Sequence, residues 1–143
     1  MAHALNRPRF DARKGRVSQT DESAFEVGRN LATAPGQVVF ENDLIQLIQY
    51  DPAPPEVGKR PLVMVPPCIN KFYILDLQPE NSFVRHAVSQ GHTVFMVSWR
   101  NVDAGQGHYG WDDYVSLGIL EAIRVAREVS GADRVNALGF CVG

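Results

Sequence analysis

Two cysteines stand in this chain of 143 residues, and one of them sits where it could do covalent chemistry. Gly139-Phe140-Cys141-Val142-Gly143 has the form G-x-C-x-G, a nucleophile elbow with sulfur in place of the more familiar serine oxygen. Such an elbow holds its nucleophile on a sharp turn between a strand and a helix. Gly139 leaves room for neighbouring backbone, and Gly143 lets the chain turn without a clashing Cβ. The alternative reading of the same five residues is a structural cysteine between two turn glycines, and the surrounding elements decide between them.

Those elements become regular only after the first quarter of the chain. Residues 1–36 are polar, mixed in charge and weakly periodic, with a possible helical turn beginning at Ser18 to Glu22. They read as a linker or the tail of a preceding N-terminal domain. Residues 37–143 read as the first part of a catalytic domain. Gln37 to Glu41 and Leu44 to Tyr50 are expected to form an antiparallel hairpin around Asn42-Asp43. A proline-rich loop runs from Asp51 to Arg60. Pro61 to Val65 and Thr93 to Ser98 are almost continuous apolar runs, the mark of strands buried on both faces. Between them lies a helix from Asn81 to Gln90. A longer helix from Trp111 to Ser130 follows, with Ile119, Leu120, Ile123, Ala126 and Val129 as its expected buried stripe. Arg134 to Leu138 is a last strand that feeds into Gly139.

Strands alternating with helices after an antiparallel start predict an α/β layer fold with a mostly parallel sheet. A strand-to-elbow junction at its carboxyl edge is where an α/β-hydrolase places its nucleophile. The expected fold is therefore the N-terminal part of an α/β-hydrolase, ending at the elbow. The tetrahedral intermediate of acyl transfer then needs two N–H donors. One is the amide of the residue after the nucleophile, Val142. The other comes from the loop after the first parallel strand, Pro66-Pro67-Cys68-Ile69-Asn70. Neither proline can donate, which leaves Cys68 and Ile69, and Ile69 is favoured. Cys68 itself is read as a small pocket-lining side chain, with a redox pair to Cys141 as the other possibility. His3, His86, His92 and His108 are not assigned as the base, because this fold orders its triad as nucleophile, acid, histidine. Asp76, Asp112 and Asp113 are read as loop and helix-start carboxylates.

Composition narrows the alternatives. A formal net charge of −2 offers no basic surface for nucleic acid. No apolar run approaches the roughly 20 residues of a membrane span, and the N-terminus lacks the apolar core of a signal peptide. Two cysteines without metal-type spacing suggest neither a disulfide scaffold nor a metal site, and point to a reducing, cytoplasmic setting.

Several blocks carry a resemblance. PLVMVPPCINKFYILDLQPENSFVRHAVSQGHTVFMVSWRN, then GWDDYV, then VNALGFCVG resemble the polyhydroxyalkanoate synthases, and SQTDESAFEVGRN and VVFEN are similar to the segment ahead of their catalytic core. The likeness runs from about Val17 to Gly143. Gly-Phe-Cys-Val-Gly and Pro-Pro-Cys-Ile-Asn look like the class I enzymes, which prefer short-chain substrates. The resemblance implies that Cys141 attacks the thioester of an (R)-3-hydroxyacyl-CoA such as 3-hydroxybutyryl-CoA and releases CoA. The acyl units are then joined into polyester. It also implies a homodimer as the full-length enzyme, attachment to the polymer granule, and no cofactor beyond the CoA thioester that is the substrate. A thioesterase or polyester depolymerase on the same fold, and a non-catalytic granule-associated protein, are the competing readings. Because the acid and base of the triad would follow Gly143, the chain reads as a fragment that is inactive alone.

Overall fold

The computed structural model describes residues 9–11, 16–18 and 22–143. β1 (Arg9–Asp11) and β2 (Arg16–Ser18) pair as an antiparallel ribbon inside the segment that its polarity marked as a linker. A short 3-10 turn follows at Glu22–Ala24. The expected hairpin is present as β3 (Gly36–Glu41) and β4 (Ile45–Tyr50). Asn42 closes its turn, its Oδ1 accepting from the amides of Leu44 and Ile45 at 2.9 Å each. β5 (Leu62–Val65), helix α1 (Phe83–Ser89), β6 (Val94–Trp99) and β7 (Asn136–Gly139) complete the framework. The long helix between β6 and β7 begins as α2 (Trp111–Asp113), widens into a π-helical segment (Tyr114–Leu120) and ends as α3 (Glu121–Ser130). Gly131 stops it in the left-handed conformation, at φ +68.

The five-stranded sheet has the order β3-β4-β6-β5-β7. Two pairings are parallel, β6 with β5 and β5 with β7, and two are antiparallel, β3 with β4 and β4 with β6. The sheet is therefore evenly mixed and not mostly parallel. The hairpin does not stand apart from the parallel strands. β4 pairs with β6 from Phe95 to Trp99, Ile45 opposite Trp99 and Gln49 opposite Phe95, which adds a second antiparallel ladder. The two apolar runs, β5 and β6, lie at the centre, as strands buried on both faces must.

Pleating divides the core between the faces. Val63, Val65, Phe95, Val97 and Trp99 point to one side and pack with Ala122, Val125 and Ala126 of α3. Met64, Val94 and Met96 point to the other and pack with Val84, Ala87 and Val88 of α1. The stripe expected on the long helix is thereby corrected. Ala126 is buried and Ile119 and Ile123 pack at the core's margin, but Leu120 and Val129 are exposed, and Ala122 and Val125 take the central places. The π-helical turns carry extra residues, and this rotates the buried face away from the register a uniform 3.6-residue helix would keep.

Gly118 lies in that π-helical segment for a steric reason. A Cβ there would sit 2.6 Å from both Cη2 and Cζ3 of Trp99. Both the indole and the helix are held by packing, so neither can move freely. Gly118→Ala is expected to destabilise by about 2 kcal/mol through overpacking, read as a lowered urea midpoint at unchanged slope.

Asp76, expected as an ordinary loop carboxylate, is fully buried. Its Oδ1 accepts from Ser82 Oγ at 2.6 Å and its Oδ2 from the amide of Ala34 at 3.1 Å. Ser82 Oγ accepts in turn from the amide of Arg85 at 2.9 Å, capping α1. The network ties the chain before β3 to the start of α1.

Candidate active site

β5 and β7 are neighbours in the sheet and run in the same direction, so their carboxyl ends open side by side. The loop Pro66 to Asn70 leaves the first, and the elbow leaves the second. Phe140 does not go its own way after β7. Its amide donates to the carbonyl of Val65, the last residue of β5, at 3.1 Å. The amide of Gly143 then donates to the carbonyl of Phe140 at 3.0 Å, closing a four-residue turn. Cys141 is the second residue of that turn, exposed, and has φ +58. A non-glycine residue in this region is strained by contact of its Cβ with the backbone, and such strain collects at sites held for function.

Both glycines are required by close approach. A Cβ on Gly139 would lie 2.6 Å from the carbonyl oxygen of Gly143. A Cβ on Gly143 would lie 2.0 Å from the carbonyl oxygen of Val65 and 2.8 Å from its carbon. The turn is thus folded against the end of β5, and only hydrogen fits in the gap. The spacing of the two glycines in G-x-C-x-G thus has a steric basis in this turn.

The second loop is also a turn. The amide of Asn70 donates to the carbonyl of Pro67 at 3.0 Å, leaving Cys68 and Ile69 as its central residues. Cys68 is half-buried against the core cluster that includes Val65 and Trp99, and its thiol is free, as is that of Cys141. Ile69 is 82% exposed and takes no part in the core. Among the described residues the amides of Cys68, Ile69, Cys141 and Val142 make no hydrogen bond to protein. Unpaired N–H groups on two adjacent loops are the raw material of an oxyanion hole.

One anchor of this loop went unread in the sequence. Trp99 Nε1 donates to the carbonyl of Pro66 at 2.7 Å, in a buried position. Trp99 ends β6, so the far strand of the parallel trio grips the loop of the middle one. The Trp99 ring packs against Tyr114 at 5.4 Å between centroids and against Gly118. The signal was present as a tryptophan at the end of an apolar strand with a lone glycine inside a helical pattern, but their proximity needs the third dimension. Beyond the loop, Lys71 Nζ donates to Asn101 Oδ1, tying it to the segment after β6 as well.

The histidines are dispersed. His86 is on α1, His92 precedes β6 at the opposite end of the sheet from Cys141, and His108 stacks on Tyr109 at 4.1 Å. His3 lies outside the described residues. Among the described residues no group of three His, Cys, Asp or Glu side chains could hold a metal ion, and no helix is long and apolar enough to cross a membrane.

Comparison with known sequences decides the family. The sequence model of the poly-beta-hydroxybutyrate polymerase (PhaC) N-terminus matches residues 5–87. The chain belongs to the PhaC family. It is 63% identical over 133 residues to the poly(3-hydroxyalkanoate) polymerase subunit PhaC of Cupriavidus necator, covering 93% of this chain and 23% of that relative. It is 46% identical over 128 residues to the subunit PhaC of Rhizobium meliloti, covering 90% of this chain and 21% of that protein. It is 47% identical over 143 residues to poly(3-hydroxyalkanoate) polymerase 2 of Ectopseudomonas oleovorans, covering all of this chain and 25% of the relative. The chain thus spans about a quarter of the length of the curated PhaC relatives it matches. The elbow lies beyond the residues matched by the N-terminal family model, and within the stretch shared with the Ectopseudomonas protein.

Proposed function

We propose that the protein carrying this chain is an acyltransferase of α/β-hydrolase fold that polymerises (R)-3-hydroxyacyl-CoA into polyhydroxyalkanoate, with Cys141 as nucleophile. The observation that carries this reading is Cys141 exposed at φ +58 on a turn fastened to the end of β5, beside the Pro66–Asn70 loop. Polymerase relatives over the same stretch support it.

Cys141 Sγ attacks the thioester carbonyl. The carbonyl oxygen takes up the negative charge and is met by the amides of Val142 and Ile69. The bond to the CoA sulfur breaks, and CoA leaves as a thiol with the proton that Cys141 gave up. One C–S bond replaces another, so the acyl-enzyme is no thermodynamic sink. The hydroxyl of a second acyl unit then attacks the acyl carbon, an ester C–O bond forms, the C–S bond breaks and the sulfur is freed for the next unit. No cofactor enters this sequence. The base and acid that move the protons lie outside these 143 residues, and residues 1–143 alone release no CoA. Phe140, Val142 and Cys68 favour short acyl chains, by likeness to the class I enzymes. The full-length protein is a dimer on the granule surface in the cytoplasm.

Cys68 lines the acyl pocket and takes no covalent part. Cys68→Ser in the full-length protein is expected to keep more than about half of the CoA release, as a near-isosteric change at a half-buried site does. A variant as inactive as Cys141→Ala would end this division of roles. Insoluble polymer as product, against free hydroxy acid, separates the polymerase from a thioesterase or depolymerase.

A further inference from the structure

Asn42 does more than close the β3–β4 turn. Its carboxamide has two ends, and both are used. Oδ1 accepts from the amides of Leu44 and Ile45, and Nδ2 donates to the carbonyl of Leu117 at 2.7 Å, 75 residues further along the chain. Two amides need an acceptor and a carbonyl needs a donor, which fixes the orientation of the carboxamide. The backbone amide of Asn42 donates to Ile45 O at 2.9 Å, so the side chain springs from a turn locked to the start of β4.

Leu117 lies inside the π-helical segment, next to Gly118. A widened turn disturbs the regular ladder of a helix and opens it to partners from outside. Gly118 is buried, and its backbone meets the six-membered ring of Trp99. A Cβ there would fall 2.6 Å from Cη2 and Cζ3 of the indole and 3.9 Å from Ile45 Cγ2. Ile45 is itself opposite Trp99 in the β4–β6 ladder. The amide of Arg100, the residue after Trp99, donates to Leu44 O at 2.9 Å. The contacts close a ring: Asn42 to Leu117, Gly118 to the indole, Trp99 across to Ile45, and Ile45 back to Asn42. Where Leu117 is held sets how closely Gly118 presses on the indole. The indole in turn donates to Pro66 O, ahead of the loop that carries Cys68 and Ile69.

We propose that Asn42 is a positioning residue for acyl transfer, its Nδ2 bond to Leu117 holding the π-helical segment against Trp99 and so holding the Pro66–Asn70 loop. This rests on the acyltransferase reading above. A side chain in the antiparallel half of the sheet thereby serves a loop in the parallel half.

Asn42→Asp in the full-length protein separates the two ends of the carboxamide. It keeps the acceptor for Leu44 and Ile45 and puts an oxygen in place of the donor that faces Leu117. Asn42→Ser is the uncharged counterpart, with a hydroxyl that can cap the same turn and is too short to reach Leu117. Both variants are read in two ways. Cys68 lies in the loop and is half-buried, so its alkylation by iodoacetamide, followed by peptide mapping, reports release of the loop with no substrate present. The rate is expected to rise about fivefold in either variant and in Trp99→Phe, the factor that one lost hydrogen bond is worth. With 3-hydroxybutyryl-CoA, kcat is expected to fall about fivefold at unchanged KM, the mark of a group that serves the transition state. Added to Trp99→Phe, Asn42→Asp is expected to cost less than about twofold more, because the path through the indole is already cut. A turn residue with a structural role alone would lower the melting temperature and leave both the Cys68 rate and kcat unmoved. Unchanged alkylation of Cys68 in both variants, a rise in KM alone, or losses that multiply in full with Trp99→Phe would overturn the proposal. Wild-type protein that releases no CoA would contradict the acyltransferase reading instead, and the alkylation rates then still decide whether Asn42 holds the loop.

Discussion

Cys141→Ala in the full-length protein is expected to abolish CoA release from 3-hydroxybutyryl-CoA, a loss on the order of 10⁴-fold or more, as for other covalent nucleophiles. On the proposed mechanism the substitution removes the atom that forms the acyl bond. It removes little else, because the side chain is exposed and makes no buried contact that packing would miss. Stability should therefore change by no more than about 0.5 kcal/mol. Cys141→Gly divides the two properties more sharply. It is equally inactive, yet a glycine at φ +58 relieves the contact between Cβ and backbone. The glycine variant is expected to exceed the alanine variant in stability by about 1 kcal/mol. Denaturant melts of the pair read the strain in the turn independently of activity. Equal stability would mean that the left-handed conformation costs nothing there.

The second large effect is expected at Trp99. The ring is 8% exposed, packs on Tyr114 and Gly118, and holds the Pro66 carbonyl. Trp99→Ala is expected to lose about 4 kcal/mol, the usual cost of removing a buried aromatic. Trp99→Phe keeps most of the ring and leaves the buried Pro66 carbonyl without a donor, for a loss of about 2 kcal/mol. Its effect on catalysis is the more telling. The loop that carries Ile69, the proposed oxyanion donor, departs from Pro66, so releasing that carbonyl would let the Ile69 amide drift. CoA release by Trp99→Phe under stabilising conditions is expected to fall about tenfold, well within what a shift of an ångström does to a positioned group. An unchanged rate would mean that the loop holds its place without Trp99.

Much of the architecture could be read from residue order because it follows from local chemistry. LVMV and VFMVSW are apolar on both faces, and both became central strands. Gly131 and the Asn42 turn ended and began elements where their backbone freedom and side-chain oxygen allow. The elbow was legible because its spacing encodes a steric demand, and the distances from Gly139 and Gly143 to neighbouring carbonyls are that demand in numbers. What escaped was non-local. Nothing in the hairpin strand says that β4 will lie beside β6 and not beside the strand that follows it in the chain. The π-helical turns leave no mark on a period of 3.6, so that period puts Leu120 and Val129 on the buried face, whereas both lie outside the core. The ribbon of β1 and β2 has only three residues a strand, too few for a hydrophobic period. Asp76 looked like any loop acid until Ser82 and the Ala34 amide closed on it. Within the candidate site, residues close together in one loop can be named from local sequence, whereas the brace between loops, Trp99 to Pro66, cannot.

The most direct test of the central claim is mass spectrometry of the full-length protein quenched within one turnover of 3-hydroxybutyryl-CoA, followed by peptide mapping. One hydroxyacyl unit is expected as a thioester on the peptide containing Cys141, lost on treatment with hydroxylamine and absent from Cys141→Ala. An acyl group on Cys68 or on any other side chain, with Cys141 unmodified while CoA is released, would contradict the account.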